Sequence, residues 1–325
     1  MTKSDLIYVA GHGGLVGSAI LRRLKAEGYD NIVTRTHAEL DLIDQKAVED
    51  FFSQIHPDYV FLAAAKVGGI GANSTYPAEF IYQNMMIGFN IVHAAYRHRV
   101  KKLLNLGSSC IYPALASQPL KEEYLLTGAL ESTNEAYAVA KIAVIKLCNY
   151  YNQQYGTNYI SAMPTNLYGP ADNYDAENSH VLPAMIRKFH EAKTTGKNSV
   201  TLWGDGSPYR EFLYSEDLAD AVLYLMEHKD ASDIGELVNI GCGDDLSIKE
   251  LAEVILQVVY ADAPAGICKI NWDTAKPNGT PRKLLDVSRL HAMGWKAKTP
   301  LREGIARAYE DFREQENRVP RALMV

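Results

Sequence analysis

A tyrosine and a lysine near the middle of the chain have the types and the spacing for acid–base chemistry. Tyr137 and Lys141 are four positions apart, which places both side chains on one face of a predicted helix. A nearby cation favours the phenolate and would bring a phenol with a free pKa of about 10 toward the physiological range. Such a phenol can exchange a proton with a sugar hydroxyl or a ketone. Taken alone, the pair is frequent by chance and is more typical of an ordinary helix surface.

A serine upstream strengthens this prediction. Ser108 lies just past a predicted strand that ends at Leu106, where its hydroxyl can polarise the same carbonyl group. A reductase site is predicted by the combination of Ser108, Tyr137 and Lys141 with a nucleotide-binding loop upstream.

That loop is Gly11-His12-Gly13-Gly14-Leu15-Val16-Gly17, between a predicted strand and a predicted helix. In this context the glycines let the backbone approach a pyrophosphate while the helix N-terminus supplies positive potential. The spacing is G-x-x-G-x-x-G rather than G-x-G-x-x-G, and a tight turn without a ligand is the alternative interpretation.

The second predicted strand ends without an acidic residue. Arg35 and His37 stand where Asp or Glu would bind the ribose 2′-hydroxyl of NAD, so they favour the 2′-phosphate of NADP(H), although a solvated arginine would look the same. The loop with Asp41 and Leu42 is predicted to lie under the adenine, or to be a plain loop. Ala63-Ala64-Ala65, at the end of a further strand, leave room for a cofactor near the backbone.

An alternation of strands and helices must position these residues. Strands are predicted at 5–10, 32–34, 59–64, 102–106 and 159–163, and the intervening stretches have helical periodicity. This pattern predicts an α/β protein with a Rossmann-type, doubly wound parallel sheet. Residues 1–165 are predicted to form the NADP-binding domain, completed by segments near 211–245. Residues 166–170 read as a turn, and 166–325 are predicted to form mainly a smaller α+β substrate-binding domain.

The composition excludes several classes of protein. Of 325 residues, 33 are basic and 39 acidic, and the net charge of −6 argues against a nucleic-acid partner held by bulk phosphate neutralisation. The four cysteines form no C-x-x-C pair, so neither a metal site nor a disulfide framework is predicted. No apolar run reaches the roughly 18 residues of a membrane span. We therefore predict a cytoplasmic protein without a membrane partner.

Six motifs spread over nearly the whole chain carry a family resemblance. The two most specific are Gly-Ser-Ser-Cys-Ile-Tyr-Pro at 107–113 and Asn-Ser-His-Val at 178–181; the others lie at 62–70, 82–86, 163–170 and 279–286. They resemble the extended short-chain dehydrogenase/reductase family that acts on nucleotide sugars. More narrowly, they are similar to its GDP-sugar 3,5-epimerase/4-reductases.

The resemblance implies two reactions in one pocket. Protons at C3 and C5 of GDP-4-keto-6-deoxy-D-mannose are removed and returned on opposite faces, and NADPH then delivers hydride to C4, giving GDP-L-fucose. By similarity, Cys110 and His180 are the base and acid of epimerisation. Tyr137 protonates the C4 oxygen, Ser108 hydrogen-bonds it, and Lys141 lowers the tyrosine pKa. Without the resemblance, an inert buried cysteine and a hydrogen-bonded loop histidine would be the simpler interpretation.

The resemblance also implies binding residues. The GDP part of the substrate would be bound by Lys188, Trp203, Arg210 and Lys283, with Lys269 a weaker candidate and Asn166 beside both nicotinamide and sugar. A core tryptophan and surface basic residues are the alternative. Beyond the glycine loop and the strand ends, the cofactor site would include Leu106, Gly107, Lys141, Pro164, Asn166, Leu167 and His180.

Several alternatives stay open on the sequence. Gly13 and His37 replace arginines that related sequences often carry toward the 2′-phosphate, so use of NADH remains possible. A colitose-type enzyme would epimerise only C5 of a 3-deoxy substrate through the same residues. The pair Cys110 and His180 argues against a nucleotide-sugar 4-epimerase or 4,6-dehydratase, and the complete Ser-Tyr-Lys set argues against a non-catalytic redox sensor. The family also implies a homodimer through the helices at 80–97 and 136–155.

Overall fold

A parallel sheet of six strands forms the centre of the computed structural model, which describes residues 1–175, 179–264, 266–276 and 278–318. In chain order its strands are β1 (Ile7–Ala10), β2 (Ile32–Val33), β3 (Tyr59–Leu62), β4 (Lys102–Leu106), β5 (Tyr159–Pro164) and β10 (Val238–Ile240). Their spatial order is β10-β5-β4-β3-β1-β2, and every neighbouring pair is parallel. Short, almost wholly apolar strands buried on both faces are what such a sheet requires.

Helices cover both faces of this sheet. One face carries α1 (Leu15–Ala26) and α7 (Ser215–His228), whose apolar residues share a core with β1, β4 and β5. The other carries α2 (Gln45–Ile55), α4 (Pro77–Arg97) and α5 (Glu135–Tyr155). The short helices α3 (Ile70–Thr75) and α8 (Ala231–Ile234) join these elements. The predicted α/β doubly wound fold is thus confirmed.

A second core lies beyond the sheet edge and is built from shorter strands and three long helices. The strands are β6 (Asn166–Tyr168), β7 (Ser199–Trp203), β8 (Tyr209–Arg210), β9 (Phe212–Tyr214), β11 (Leu246–Ser247), β12 (Lys269–Asp273) and β13 (Arg282–Lys283). The helices are α6 (Val181–Thr194), α9 (Ile248–Val259) and α11 (Leu301–Arg318). The short α10 (Ser288–Ala292) packs instead on the main sheet, where Leu290 shares the core of α1 and α7. Apolar residues of α6, α9 and α11 pack together in this core.

Two features differ from the sequence-based expectation or extend it. The stretch read as a turn after β5 contains strand β6, which pairs in parallel with β9. Its pairing partner lies more than 40 residues away, so local turn signals could not reveal it. Strand β10 comes from the segment 211–245 and completes the main sheet. The boundary at residue 165 itself stays a prediction.

Within the described part of the chain, none of the helices has the length and hydropathy needed to span a bilayer.

Candidate active site

Most of the predicted cofactor and catalytic residues lie in loops at one edge of the main sheet. Strands β1, β3, β4 and β5 end there, and the loops that leave them are residues 11–17, 63–65, 106–110 and 165–167. Strand order reverses between β1 and β3, and open α/β sheets bind ligands beyond the carboxyl ends of strands at such a reversal. The topology therefore brings together residues that lie more than 150 positions apart.

Two glycines of the first loop contact backbone so closely that no side chain fits. A Cβ atom on Gly17 would lie 2.0 Å from the carbonyl oxygen of Gly11, and one on Gly11 would lie 2.6 Å from the amide nitrogen of Ala64. Helix α1 starts immediately after this turn, and its N-cap residue Gly14 provides no side-chain cap. The free N–H groups and the helix dipole make this turn suitable for a pyrophosphate.

Two buried polar atoms at this edge mark places for a ligand. Nδ1 of His12, in the glycine loop, and Oδ1 of Asn134, just before α5, are both buried without a hydrogen-bond partner in the part of the chain that the structure describes. Buried polar atoms are normally paired. The close backbone at Gly11 and these two atoms fit a bound dinucleotide and its substrate.

The turn that follows β2 holds an acidic residue, Glu39, that the sequence patterns did not single out. Glu39 accepts hydrogen bonds from the backbone nitrogen of Thr36 at 2.7 Å and from its hydroxyl at 2.8 Å. These bonds lower the Glu39 pKa, and the charges of Arg35 and His12 lower it further. Arg35 therefore has a carboxylate close by, which reduces the positive potential available to a 2′-phosphate.

The other residues predicted to contact the adenosine differ in how closely they pack against the rest of the protein. The guanidinium of Arg35 lies 5.4 Å from the centre of the Phe51 ring, while His37 is largely exposed, with Nδ1 3.9 Å from the Asp41 carboxylate. The carbonyl oxygen of Leu42 accepts a hydrogen bond from a buried asparagine. Arg35 is the cation that the protein orients here.

Ser108 and Cys110 lie in the loop after β4. Ser108 is the N-cap of a single 3₁₀ turn, Ser109–Ile111, and its Oγ lies 3.5 Å from the backbone nitrogen of Cys110. A Cβ atom on Gly107, just before this turn, would lie 2.2 Å from Sδ of Met163, so a larger residue there would force the methionine side chain to move. The turn places a hydroxyl and a buried thiol two residues apart at the sheet edge.

Tyr137 and Lys141 lie one turn apart in α5, as their spacing predicts. Nζ of Lys141 donates a hydrogen bond to the carbonyl oxygen of Leu106 at 2.9 Å and lies 5.7 Å from the centre of the Tyr137 ring. Burial lowers the pKa of Lys141 to about 8. The hydrogen bond from Lys141 to Leu106 ties α5 to β4, the strand that precedes Ser108.

The expectation that Lys141 lowers the Tyr137 pKa is wrong for the protein alone. Burial has the largest effect and raises the pKa of this phenol, negative charge at Cys110 raises it too, and only the hydrogen bond with Ser108 lowers it. Desolvation of the phenolate outweighs the neighbouring cation. Tyr137 is therefore protonated at neutral pH, which is the state a proton donor needs.

The thiol of Cys110 lies among positive charges. Burial raises its pKa, whereas the ammonium of Lys283, the hydrogen bond with Ser108 and the ammonium of Lys141 lower it. Burial in turn lowers the Lys283 pKa. Lys283 is held in place because the next residue, Leu284, accepts a backbone hydrogen bond from Leu120 at 2.7 Å. Burial is the largest of these effects and keeps the thiol protonated in the protein alone, whereas the cations lower the free energy needed to form the thiolate, which acts as the base.

Replacing Lys283 by methionine is expected to raise the Cys110 pKa further, because the cation that lowers this pKa most is removed. The midpoint of the pH dependence of Cys110 alkylation by iodoacetamide then moves to higher pH, as followed by mass spectrometry of the Cys110 peptide. Lys188→Met is the matched control, since Lys188 is also partly desolvated but does not act on Cys110. Equal midpoints in all three proteins would contradict this role.

His180 precedes α6 directly, in the second core. Desolvation by surrounding protein lowers its pKa, which makes its imidazolium a stronger acid. Asn178 of the same motif lies outside the described residues. The predicted acid and base thus come from different parts of the fold, His180 from the start of α6 and Cys110 from the sheet edge.

The predicted ligands of GDP come from neighbouring strands of the second core. Arg210 in β8 pairs with Lys283 in β13, and burial lowers the pKa of both side chains. Nζ of Lys188 donates to the carbonyl oxygen of Thr201 at 3.2 Å, two residues before Trp203. The Trp203 ring is 63% exposed, as a surface for stacking a base must be.

Lys269 lies apart from these residues. It begins β12 opposite Ser199, whereas Trp203 pairs with Asp273 at the other end of the same two strands. Four residues of strand span about 13 Å. The structure therefore does not bring Lys269 to Trp203. Lys276, which no sequence pattern indicated, instead has its Nζ 5.2 Å from the Trp203 ring.

The parallel sheet, the glycine loop after β1 and the Ser-Tyr-Lys set beyond β4 define a dinucleotide-dependent enzyme of the short-chain dehydrogenase type. The chain belongs to the NAD dependent epimerase/dehydratase family, whose sequence profile matches residues 7–241.

Individual relatives agree with this assignment. GDP-L-fucose synthase 1 of Arabidopsis thaliana is 56% identical over 308 residues, which are 95% of this chain and 93% of the relative. GDP-L-colitose synthase of Yersinia pseudotuberculosis is 40% identical over 312 residues, 96% of this chain and 99% of the relative. Among solved structures, MlghC, a GDP-mannoheptose C4 reductase from Campylobacter jejuni with NADP bound, superposes with a TM-score of 0.88 at 40% identity, covering 96% of this chain and 99% of that one.

Proposed function

We propose that this chain acts as a GDP-L-fucose synthase, which epimerises GDP-4-keto-6-deoxy-D-mannose at C3 and C5 and then reduces C4 with NADPH. The observation that carries the proposal is a buried thiol, Cys110, held among cations beside the reductase groups Ser108, Tyr137 and Lys141. A simple reductase has no use for this thiol. The higher identity to a fucose synthase than to a colitose synthase favours the 3-hydroxy substrate.

In the epimerisation, the C4 ketone acidifies the adjacent C–H bonds. The thiolate of Cys110 takes the proton from C3 or C5, and the electron pair moves onto the C4 oxygen as an enolate, which the hydroxyls of Ser108 and Tyr137 stabilise. The imidazolium of His180 then donates a proton to the opposite face, which restores the ketone with inverted configuration. Solvent takes the proton from the thiol and returns one to the imidazole, so both groups are reset.

In the reduction, NADPH supplies a hydride to C4 when it is bound. Tyr137 donates its proton to the C4 oxygen, and the ketone becomes the hydroxyl of GDP-L-fucose. The positive charge of Lys141, anchored on Leu106, stabilises the phenolate that remains until solvent reprotonates it. Ser108 keeps the C4 oxygen in place in both half-reactions.

For substrate binding, we propose that Arg210, Lys283 and Lys188 bind the diphosphate and that the exposed Trp203 stacks on the guanine. The partly desolvated state of these cations supports the proposal, because an unpaired buried cation is costly unless an anion joins it. Asn166, whose Nδ2 donates to the carbonyl oxygen of Glu211 at 2.8 Å, is held between the cofactor and sugar sides.

The proposal is tested by incubating the protein with GDP-4-keto-6-deoxy-D-mannose and NADPH in deuterated water and identifying the product by NMR. We expect NADPH loss together with GDP-L-fucose deuterated at C3 and C5. Turnover of the 3-deoxy substrate alone would replace the proposal with the colitose-type reaction. Dinucleotide binding without turnover of either sugar would replace it with a sensor function.

The coenzyme proposed is NADP(H), with Arg35 facing the 2′-phosphate. Gly13 leaves the neighbouring position empty, because a Cβ atom there would meet nothing within 4 Å. Gly13→Arg is expected to raise the ratio of kcat/KM for NADPH over NADH by about tenfold, since a guanidinium adds charge-assisted hydrogen bonds to a phosphate. The ratio is measured from initial rates with each coenzyme. Gly13→Ala, which adds a side chain without charge, should leave it unchanged; an equal rise in both variants would contradict the explanation.

We also propose a cytoplasmic homodimer. Helices α4 and α5 pack against each other and leave three large rings on an outer face, namely Tyr82, Phe89 and Tyr150, of which Tyr82 is 58% and Tyr150 is 56% exposed. Such a face is typical of helices that pair with a second copy. Light scattering that gives twice the chain mass of 36.1 kDa would support the dimer.

A further inference from the structure

A fully buried carboxylate lies next in the chain to one of the two paired cations. Glu211 follows Arg210 and has no exposed surface. Its Oε1 accepts a hydrogen bond from the backbone nitrogen of Gly243 at 2.8 Å, and its Oε2 accepts one from the backbone nitrogen of Leu285 at 3.0 Å. Burial raises the Glu211 pKa and these backbone hydrogen bonds lower it. Both carboxylate oxygens are thus committed to two chain segments that are far apart in sequence.

The surroundings of this carboxylate are shaped to hold it. A Cβ atom on Gly241 would lie 2.1 Å from Oε1 of Glu211, so a glycine is needed at the end of β10 for the carboxylate to fit. The main chain of Glu211 makes three further links. Its carbonyl oxygen accepts from Oγ1 of Thr165 at 3.3 Å and from Nδ2 of Asn166 at 2.8 Å, and its nitrogen donates to the carbonyl oxygen of Lys283 at 3.4 Å. One residue therefore joins the ends of β5 and β10 to the strand pair β8 and β13.

We propose that Glu211 is the positioning residue for the cations of the substrate site. By fixing Leu285 on one side and the loop at Gly243 on the other, its carboxylate holds β13 beside β8, so that Lys283 and Arg210 stay paired at the distance a diphosphate requires. The identity of that ligand, the GDP part of the substrate, rests on the proposed function. Glu211 makes no contact with the substrate itself and acts through the backbone of its partners.

The chain offers a matched control for this carboxylate. Asp217 is also buried, and it accepts hydrogen bonds from the backbone nitrogen of Lys298 at 3.1 Å and from the nitrogen and hydroxyl of Thr299 at 2.8 and 2.9 Å. It ties α7 to the segment before α11 and belongs to neither the cofactor nor the substrate residues. If Glu211 only stabilises the fold, removal of either carboxylate should change Tm and GDP affinity to the same extent.

The test compares Glu211→Gln, Gly241→Ala and Asp217→Asn with the wild type. The glutamine presents an N–H group toward the N–H of Gly243 or Leu285, which breaks one of the two bonds. The alanine keeps the charge and displaces the carboxylate. Each protein is assayed for KM and kcat with the GDP-sugar, for the Kd of GDP and of NADPH by calorimetry, and for Tm.

Glu211→Gln and Gly241→Ala are both expected to raise the KM of the GDP-sugar and the Kd of GDP by at least about tenfold, because misplacement of binding groups by a fraction of an ångström is costly. We expect kcat to fall by a smaller factor than KM rises, since displacing Lys283 also weakens its stabilisation of the Cys110 thiolate, and NADPH binding to stay unchanged. Asp217→Asn should lower Tm alone.

Three results would overturn the proposal: unchanged GDP affinity in both site variants, an equal loss of GDP affinity in Asp217→Asn, or failure of both site variants to fold, which would assign Glu211 to the core instead. GDP binding needs no turnover. A wild-type protein that binds GDP without converting the sugar would therefore refute the proposed function and still leave this inference measurable.

Discussion

Replacement of Tyr137 by phenylalanine is expected to slow substrate-dependent NADPH oxidation by about 10³-fold, because the reduction loses its proton donor. The phenol is protonated in the protein, since burial raises its pKa, and its ring lies 5.7 Å from Nζ of Lys141. The rate is followed by NADPH absorbance at saturating substrate. The variant removes one oxygen atom and leaves the ring that packs on Phe80, so NADPH affinity should not change.

The same variant separates the two half-reactions. Deuterium uptake at C3 and C5 should continue in Tyr137→Phe, slowed only by the loss of one hydrogen bond to the enolate oxygen, because proton removal depends on Cys110. Tyr150→Phe, the same change in the same helix at an exposed position, is the control and should keep full activity. Retained NADPH oxidation in Tyr137→Phe would refute the role of the phenol.

Replacement of Cys110 by serine is expected to slow deuterium uptake at C3 and C5 by about 10² to 10⁴-fold, because an alcohol is far less acidic than a thiol and supplies no base at neutral pH. NMR of the substrate in deuterated water measures the uptake. Binding of GDP and NADPH should stay within about twofold, since Cys110 is a small buried residue without a predicted binding role. NADPH oxidation with the unepimerised substrate should fall in parallel.

Cys242→Ser is the control for this substitution. Its thiol is partly exposed and donates to the carbonyl oxygens of Phe212 and Asp244, which a hydroxyl can also do. Uptake at the wild-type rate in Cys110→Ser would remove this residue from the mechanism. Slow uptake in both variants would point to a general disturbance of the site.

The fold was predictable from the sequence wherever the structure is local. Strand β4 occupies the predicted residues 102–106, and α5 begins within one residue of the predicted start, because short apolar strands and long periodic helices carry strong patterns. Strand β6 was missed since it is defined by pairing with β9, a contact that no local pattern encodes. A local sequence pattern can therefore predict an element such as β4 or α5, but not one that is defined by a partner far away in the sequence.

In the candidate site too, some residues could be predicted from local sequence and others could not. Ser108, Tyr137 and Lys141 could be named because residue type and spacing carry their chemistry. The Tyr137 pKa was predicted in the wrong direction, because spacing shows the neighbouring cation and not the burial that outweighs it. Glu211 escaped notice because its partners are backbone groups at Gly243 and Leu285, which have no signature in the sequence. The separation of Lys269 from Trp203 follows from strand register alone.

The hydrogen bond from Lys141 to the carbonyl oxygen of Leu106 has a consequence for how such enzymes diverge. It fixes Lys141, and with it Tyr137 of the same helix, to the main sheet, whereas Arg210 and Lys283 lie on strands of the second core. Mutations that reshape the second core can therefore change which sugar nucleotide is accepted while hydride transfer is inherited intact. Related enzymes that keep this hydrogen bond can therefore change their sugar substrate and retain the same reduction at C4.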